Sequence, residues 1–272
     1  MPNVEKRLQN GRVTWLARWR DPDGSQRKKS FDRKVDAERH LLVVGSSMLT
    51  GSYVDPGAGR VTVGDYAETW LANKGHLKPK TRAGYESLLA TRVLPKWGPV
   101  PLDRANYGAV ASWVSTMAES GLSASRTRQA YHVLKSLLDE AVKDARLLRN
   151  PATGVDLPRM RAKERRYLTH AEVAALAEAC RGHRTLVQVL AYCGIRWGEA
   201  TALRVGRVDP VRGRLDIVEA VVEVSGTMIF GSPKSHQHRS VRSRGSSGRT
   251  WSLRREGWVQ AIWSSLQPLD RP

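Results

Sequence analysis

Near the start of the chain the apolar side chains alternate. Val13, Trp15, Ala17 and Trp19 fall on one side of the stretch from Val13 to Arg20, the period of a strand with one buried face. Asp21-Pro22-Asp23-Gly24 follows as a turn, in which proline presets φ and glycine accepts a positive φ. Gln26 to Phe31 reads as the returning strand, and Asp32 or Asp36 then opens a helix running to about Met48. Gly51, Pro56, Gly57 and Gly59 mark Gly51 to Arg60 as a linker.

From residue 61 the apolar positions take up helical spacing. Thr62-Val63-Gly64-Asp65 reads as an N-cap before Tyr66, Trp70 and Leu71. Lys78-Pro79-Lys80-Thr81 opens a second helix through Tyr85, Leu88, Leu89 and Val93, ended by Pro95. A third spans about Asn106 to Glu119, with Val110, Val114 and Met117 apolar. Ser123 or Ser125 caps the longest, along which Tyr131, Leu134, Leu138, Val142 and Ala145 recur as a core stripe until Asn150-Pro151 stops it. Leu157 to Arg166 is a basic linker, and Thr169 to Glu172 is a second capping box, before Val173, Leu176 and Ala179. A helix from about Arg184 to Tyr192 ends at Gly194. Gly213 to Val224 then reads as β-rich, with Leu215 and Ile217 on one face and Asp216 on the other; Ser225-Gly226 turns it back into Thr227 to Phe230.

Composition changes the picture by its charge. A net charge of +19 and a pI near 10.6 call for an anionic partner, nucleic acid first and a membrane surface second. No stretch approaches about 18 uninterrupted apolar residues, and the N-terminus carries no signal-like segment, so the expected location is the cytoplasm, with no membrane partner. The chain's 272 residues give room for two domains or three small ones. Cys180 and Cys193 lack metal-ligand spacing, Asp209 and Asp216 are isolated, and there is no ATP-binding loop. The chain is expected to hold no metal and no cofactor.

The most informative stretch is Leu190-Ala191-Tyr192-Cys193-Gly194-Ile195-Arg196-Trp197-Gly198-Glu199-Ala200-Thr201-Ala202-Leu203-Arg204. It reads as helix, glycine break, helix. Arg196 falls at the start of the second helix, where unpaired backbone N–H groups already favour an anion. Glu199 lies on the next turn, within reach of the guanidinium, and an arginine held that way suits a bidentate phosphate contact.

The pattern Gly-Ile-Arg-x-Gly-Glu-Ala-x-x-Leu-Arg after an apolar helix resembles the first catalytic-arginine box of the tyrosine recombinases, the phage integrase family. The resemblance implies that Arg196 is the first catalytic arginine, with Glu199 orienting it. It also implies that Lys234, in Pro233-Lys234-Ser235, is the hairpin lysine that protonates the leaving 5′-oxygen. Residues 1–55 resemble an arm-type DNA-binding domain and residues 61–155 a helical, SAM-like core-binding domain, with residues 165–240 a partial catalytic domain. The implied partner is double-stranded DNA at attachment-site arms and core, with a tetramer on DNA and DNA-bending helper proteins in the intact family. Candidate DNA contacts are Arg18, Arg20, Lys28 and Lys29 on the hairpin, Lys78, Lys80, Arg82, Arg126 and Arg128 at helix starts, and Arg159 and Arg161 in the linker.

The family's chemistry also needs a second arginine in a His-x-x-Arg box and a tyrosine nucleophile near the C-terminus. No tyrosine follows Tyr192, which lies before the arginine box. His236-Gln237-His238-Arg239 matches His-x-x-Arg only in letters; it sits two residues past Lys234, inside the expected hairpin strand, and reads as a decoy. From Val241 the helical and strand periods fade into Arg/Ser/Gly text, with Trp251, Trp258 and Trp263 crowded together. Residues 241–272 are therefore expected to be a non-native or disordered basic tail, arising from a frameshift near residues 239–242. The expected fold is α+β and multidomain: a small sheet-and-helix module, an all-helical domain, and an incomplete, mainly helical catalytic domain with a β-hairpin. The expected function is site-specific integration or excision of a phage or mobile element through a phosphotyrosyl intermediate, with DNA binding kept and the nucleophile lost. The competing readings are a non-catalytic DNA-binding regulator and an integrase remnant that occupies attachment sites.

Overall fold

The computed structural model describes residues 2–9, 12–51, 53–55, 57–160, 164–209 and 211–242. The chain divides into two compact units, residues 1–77 with 81–161, and residues 78–80 with 162–272.

The first unit begins with an antiparallel sheet of β1 (Asn3–Gln9), β2 (Arg12–Arg20) and β3 (Gln26–Phe31), in the order β1-β2-β3. The alternation seen in the sequence places β2 and β3. It misses β1, whose charged residues suit an edge strand. Trp15 pairs with Phe31 and Arg18 with Lys28. Trp19 is 5% exposed and packs edge-on against His40 of helix α1 (Lys34–Leu49). Leu16, on the opposite face, is buried as well. Neither Asp32 nor Asp36 caps α1: the N-cap is Arg33, which makes no side-chain capping bond, and Asp36 lies in the first turn.

The stretch after α1 is no free linker. Arg27 pairs through Nε with Asp21 and through Nη2 with Asp55, each at 2.5 Å. Tyr53 accepts from the Trp19 indole at 2.9 Å and donates to Asp21. Burial, reinforced by that carboxylate, pushes the Tyr53 phenol up to about 12. The network ties the 53–55 segment back to the hairpin turn.

The helical part comprises α2 (Val63–Ala72), α3 (Pro79–Leu88), α4 (Leu94–Trp97), α5 (Tyr107–Glu119) and α6 (Ala124–Lys143). The caps at Thr62 and Ser123 are as the sequence suggests, and Asn106 adds a third: each side chain accepts from the backbone three residues on. Pro95 does not end its helix. The chain widens into a π turn over Leu89–Val93 and re-enters a helical turn with Pro95 near its start, where the missing N–H is tolerated. Asn150-Pro151 does not stop α6 either. The helix ends at Lys143, and Ala145 takes a left-handed φ of 51°, so the Ala141 carbonyl accepts from both Arg146 and Leu147. Asn150 instead pins the following segment to α6, donating to the Lys135 carbonyl at 2.9 Å and accepting from Ala152 N–H at 2.8 Å. Trp70, Trp97, Leu102, Leu134, Leu137 and Leu138 fill the core.

The second unit contains α7 (His170–Ala179), α8 (Arg184–Cys193) and α9 (Trp197–Thr201). Thr169 and Glu172 form the reciprocal capping box at α7, but Val173 and Ala177 face inward, and Leu176 is exposed. The β-rich stretch splits between two sheets. Strands β4 (Val208–Asp209), β5 (Arg214–Ile217) and β8 (Arg239–Arg242) form one in the order β4-β5-β8; β6 (Ala220–Val224) and β7 (Thr227–Gly231) form a hairpin. Ser225 and Gly226, at φ of 51° and 79°, make its turn. Leu215 and Ile217 lie in a core with Leu186, Val189, Ile195, Ala200 and Leu203. Val241 pairs with Leu215 and packs against this core. Trp251, Trp258, Trp263 and the rest of the expected tail from residue 243 lie outside the described residues.

Candidate functional site

The site grows out of the junction between α8 and α9. Gly194 takes φ of 61°, a left-handed position that ends α8 and reverses the chain. Ile195 then plugs the core, and Arg196 becomes the N-cap of α9 with an extended backbone. Gly198 is required by close approach: a Cβ there would stand 2.5 Å from the Val221 carbonyl oxygen of β6. That contact seats α9 directly on the β6–β7 hairpin.

Glu199 is the centre of the arrangement and is 1% exposed. Its Oε2 accepts from the Arg196 backbone N–H at 2.9 Å, and its Oε1 from Arg196 Nη1 at 3.0 Å. Arg239, at the start of β8, forks onto both oxygens, Nη1 to Oε1 at 3.0 Å and Nη2 to Oε2 at 2.6 Å. The carboxylate thus receives donors on both oxygens, which a buried charge requires. The Arg239 bonds, helped by those of Arg196 and opposed by burial, hold the Glu199 carboxyl at about 2. Arg196 keeps a side chain 55% exposed. Among the described residues only its Nη1 is engaged by a side chain, so the remaining guanidinium edge is presented outward. α9 has five residues, and the Arg196 N–H is bonded to Glu199.

Lys234 lies in the turn between β7 and β8, exposed, not on a hairpin strand. His236 sits in the same turn at φ of 55°, its N–H bonded to the Pro233 carbonyl at 3.0 Å. His236, Gln237 and His238 are therefore outside any strand. Arg239 opens β8, which pairs with β5 rather than with β7. Tyr192 is occupied elsewhere, stacked on His170 with ring centroids 5.6 Å apart. Among the described residues no cluster of three or more His, Cys, Asp or Glu could hold a metal ion, and no helix is long and apolar enough to cross a membrane.

No protein-family model matches the chain. It is 29% identical over 233 residues to the prophage phiRv2 integrase of Mycobacterium tuberculosis, covering 81% of this chain and 60% of that protein. It is 24% identical over 217 residues to the integrase of Mycobacterium phage D29, covering 76% and 57%. This chain is a homologue of phage integrases. It spans about three-fifths of the length of the curated relatives it matches. Among solved structures, the Tn1549 transposon integrase in complex with a circular intermediate DNA matches with a TM-score of 0.60 at 20% identity, covering 74% of this chain and 63% of that one. A lambda integrase dimer bound to a core site matches with a TM-score of 0.51 at 17% identity, covering 84% and 65%. The integrase homologue therefore has the α+β fold of these recombinases.

The candidate DNA contacts of the integrase homologue are dispersed, and several are already engaged. Arg18, Arg20 and Lys28 share one face of the first sheet, with Arg18 paired to Glu5 at 3.0 Å. Lys29 falls on the other face, its ammonium 5.4 Å from the Phe31 ring centroid. Lys78 precedes α3 and Lys80 lies in its first turn. Arg82 pairs with Glu86 at 3.1 Å, Arg126 donates to Gln129 at 3.3 Å, and Arg128 holds the Pro158 carbonyl at 3.2 Å. Arg159 is exposed, and Arg161 lies outside the described residues. Arg239, set aside in the sequence as part of a decoy His-x-x-Arg match, is the residue that joins Glu199 here. Its partner lies 40 residues away. The hints were the His-x-x-Arg letters ending at Arg239 and its place five residues after Lys234.

Proposed function

We propose that this chain is the DNA-binding and phosphate-engaging part of a site-specific recombinase that integrates or excises a phage or mobile element. The observation that carries the reading is Arg196: an exposed guanidinium fixed by a buried carboxylate, in a chain of net charge +19. A guanidinium held in this way meets a phosphodiester with two parallel hydrogen bonds and stabilises the charge that develops on its non-bridging oxygens. In the family resembled, a tyrosine hydroxyl attacks that phosphate and a lysine protonates the leaving oxygen; Lys234 is the candidate for the second role. The proposed division is an arm-binding module over residues 1–55, a core-binding module over 61–155 and a partial catalytic domain over 165–240. It acts in the cytoplasm on double-stranded DNA, as a tetramer in the intact system and with helper proteins that bend the site.

A second reading is a chain that occupies attachment sites without cutting them, as a remnant or a regulator. Incubation with nicked suicide duplexes, selected for binding from a random library, separates the readings. The expected result is binding that falls steeply with salt and no covalent protein–DNA adduct. A trapped adduct would overturn the loss of the nucleophile; no selective binding would overturn the recombinase reading. A frameshift near residues 239–242 is tested by translating the downstream DNA in the other two frames, where His-x-x-Arg followed by a tyrosine is expected.

A further inference from the structure

We propose that Arg239 is a positioning residue that keeps the outer edge of the Arg196 guanidinium free for phosphate. The inference rests on the reading of Arg196 as a phosphate ligand and adds what holds it in readiness. A carboxylate has two oxygens, and the preferred geometry of an isolated arginine–carboxylate pair is a fork in which two nitrogens meet both. Arg196 does not adopt it. Its guanidinium reaches Glu199 through Nη1 alone, at 3.0 Å, while Arg239 covers both oxygens at 3.0 and 2.6 Å. Glu199 is 1% exposed, so its charge depends on these donors rather than on bulk water.

Removing Arg239 leaves each oxygen of a buried carboxylate with a single donor, the Arg196 N–H on Oε2 and Arg196 Nη1 on Oε1. The lowest-energy response is for Arg196 to turn inward and fork onto Glu199, which withdraws the nitrogens that would meet phosphate. The exposures fit this division of labour: the Arg196 side chain is 55% exposed and that of Arg239 33%, with both Arg239 Nη groups turned onto Glu199. Arg239 also opens β8, whose partner β5 carries Leu215 and Ile217 of the core. Its guanidinium is therefore anchored from a sheet rather than from the mobile end of a turn, and it can hold the carboxylate against the pull of a bound anion.

The test uses the full chain labelled with 15N-arginine and inorganic phosphate as the probe. The Arg196 side-chain N–H resonance, assigned by its loss in Arg196→Lys, is followed through a phosphate titration. In the wild-type chain this resonance is expected to shift and saturate. In Arg239→Gln the affinity read from it is expected to fall by about tenfold, and in Glu199→Gln/Arg239→Gln it is expected to return toward wild type, because a neutral amide no longer captures Arg196. A purely structural role for Arg239 predicts the opposite, a double variant at least as impaired as the single. If Arg239→Gln unfolds the unit, Arg239→Lys takes its place, since it keeps the charge but cannot fork onto both oxygens. An unchanged titration in a folded Arg239 variant overturns the proposal, as does a folded double variant that stays impaired. A wild-type Arg196 resonance that ignores phosphate while other arginines respond overturns the phosphate-ligand reading itself.

Discussion

The helical part of the first unit and the core of the second are built on different terms. Among the described residues, twenty-two buried ones join in the first, with Trp70, Trp97, Trp113, Tyr66 and Tyr131 among them, and seven join in the second, none of those seven aromatic. In the second unit Glu199 is as fully buried as Leu215 and Ile217. A large apolar core tolerates small geometric errors because many contacts share each one. A small core with a charged centre does not, because a buried carboxylate is stable only with its donors in place. Precision at Arg196 and dependence on Glu199 are therefore one property: the lock that aims the arginine also holds α9 to β8.

The comparison breaks most visibly if the large core is hollowed. Trp70 is 1% exposed and stacks on Tyr85 with ring centroids 5.5 Å apart. Trp70→Ala is expected to destabilise the helical part by about 4 kcal/mol, the sum of lost transfer energy and an unfilled cavity. Denaturant unfolding followed by circular dichroism should show the loss. Hydrogen exchange should confine it to α2–α6, with protection of Leu215 and Ile217 unchanged. Loss of protection in both units would mean that they do not unfold separately.

The polar centre breaks with acid. The Glu199 carboxyl sits at about 2 in the folded chain against an ordinary value of 4.5, so the folded state binds fewer protons than the unfolded state between those values. Stability from this group is fully present above about pH 4.5 and is lost as the pH falls toward 2. Discounted for the solvent around the exposed Arg196, the contribution is about 2 kcal/mol. Thermal melts from pH 7 to pH 3 should show the second unit losing stability, and Glu199→Gln should flatten that dependence while lowering stability at pH 7. An equally steep pH dependence in Glu199→Gln would remove Glu199 as its cause.

The two regions also differ in how far their parts could be read in advance. Helix starts were legible at Thr62, Asn106, Ser123 and Thr169, because a cap is a local contest between one side chain and one nearby N–H. Helix ends were not. Pro95 is absorbed by a π turn, and Ala145 adopts a left-handed conformation that usually signals glycine; tertiary packing decides both. The same contrast holds at the site. Arg196 and Glu199 are three residues apart, and the spacing alone brings them together. Arg239 arrives through a sheet that pairs β5 with β8 across the intervening β6–β7 hairpin, a pairing no local pattern encodes. The anchoring of Tyr53 and Asp55 to the hairpin turn was hidden for the same reason, since Gly51 and Gly57 mark a break without saying where the segment docks.

The finest probe of the contrast applies one perturbation to both regions. Thr62 caps α2 by accepting from Asp65 N–H at 3.1 Å, and Thr169 caps α7 by accepting from Glu172 N–H at 3.3 Å. Thr62→Ala and Thr169→Ala remove the same chemical bond, so each is expected to cost about 1 kcal/mol. The melting temperatures should nevertheless respond unequally. A shift in midpoint is the free-energy change divided by the entropy of unfolding, which grows with the number of residues that unfold together. The larger first unit should lose about 2–4 °C, and the second, with its small core, about 4–8 °C. Differential scanning calorimetry of the two variants gives both numbers from the same chain. Equal shifts would mean that the units melt as one cooperative body, and a larger shift from Thr62→Ala would reverse the assignment of the second unit as the marginal one.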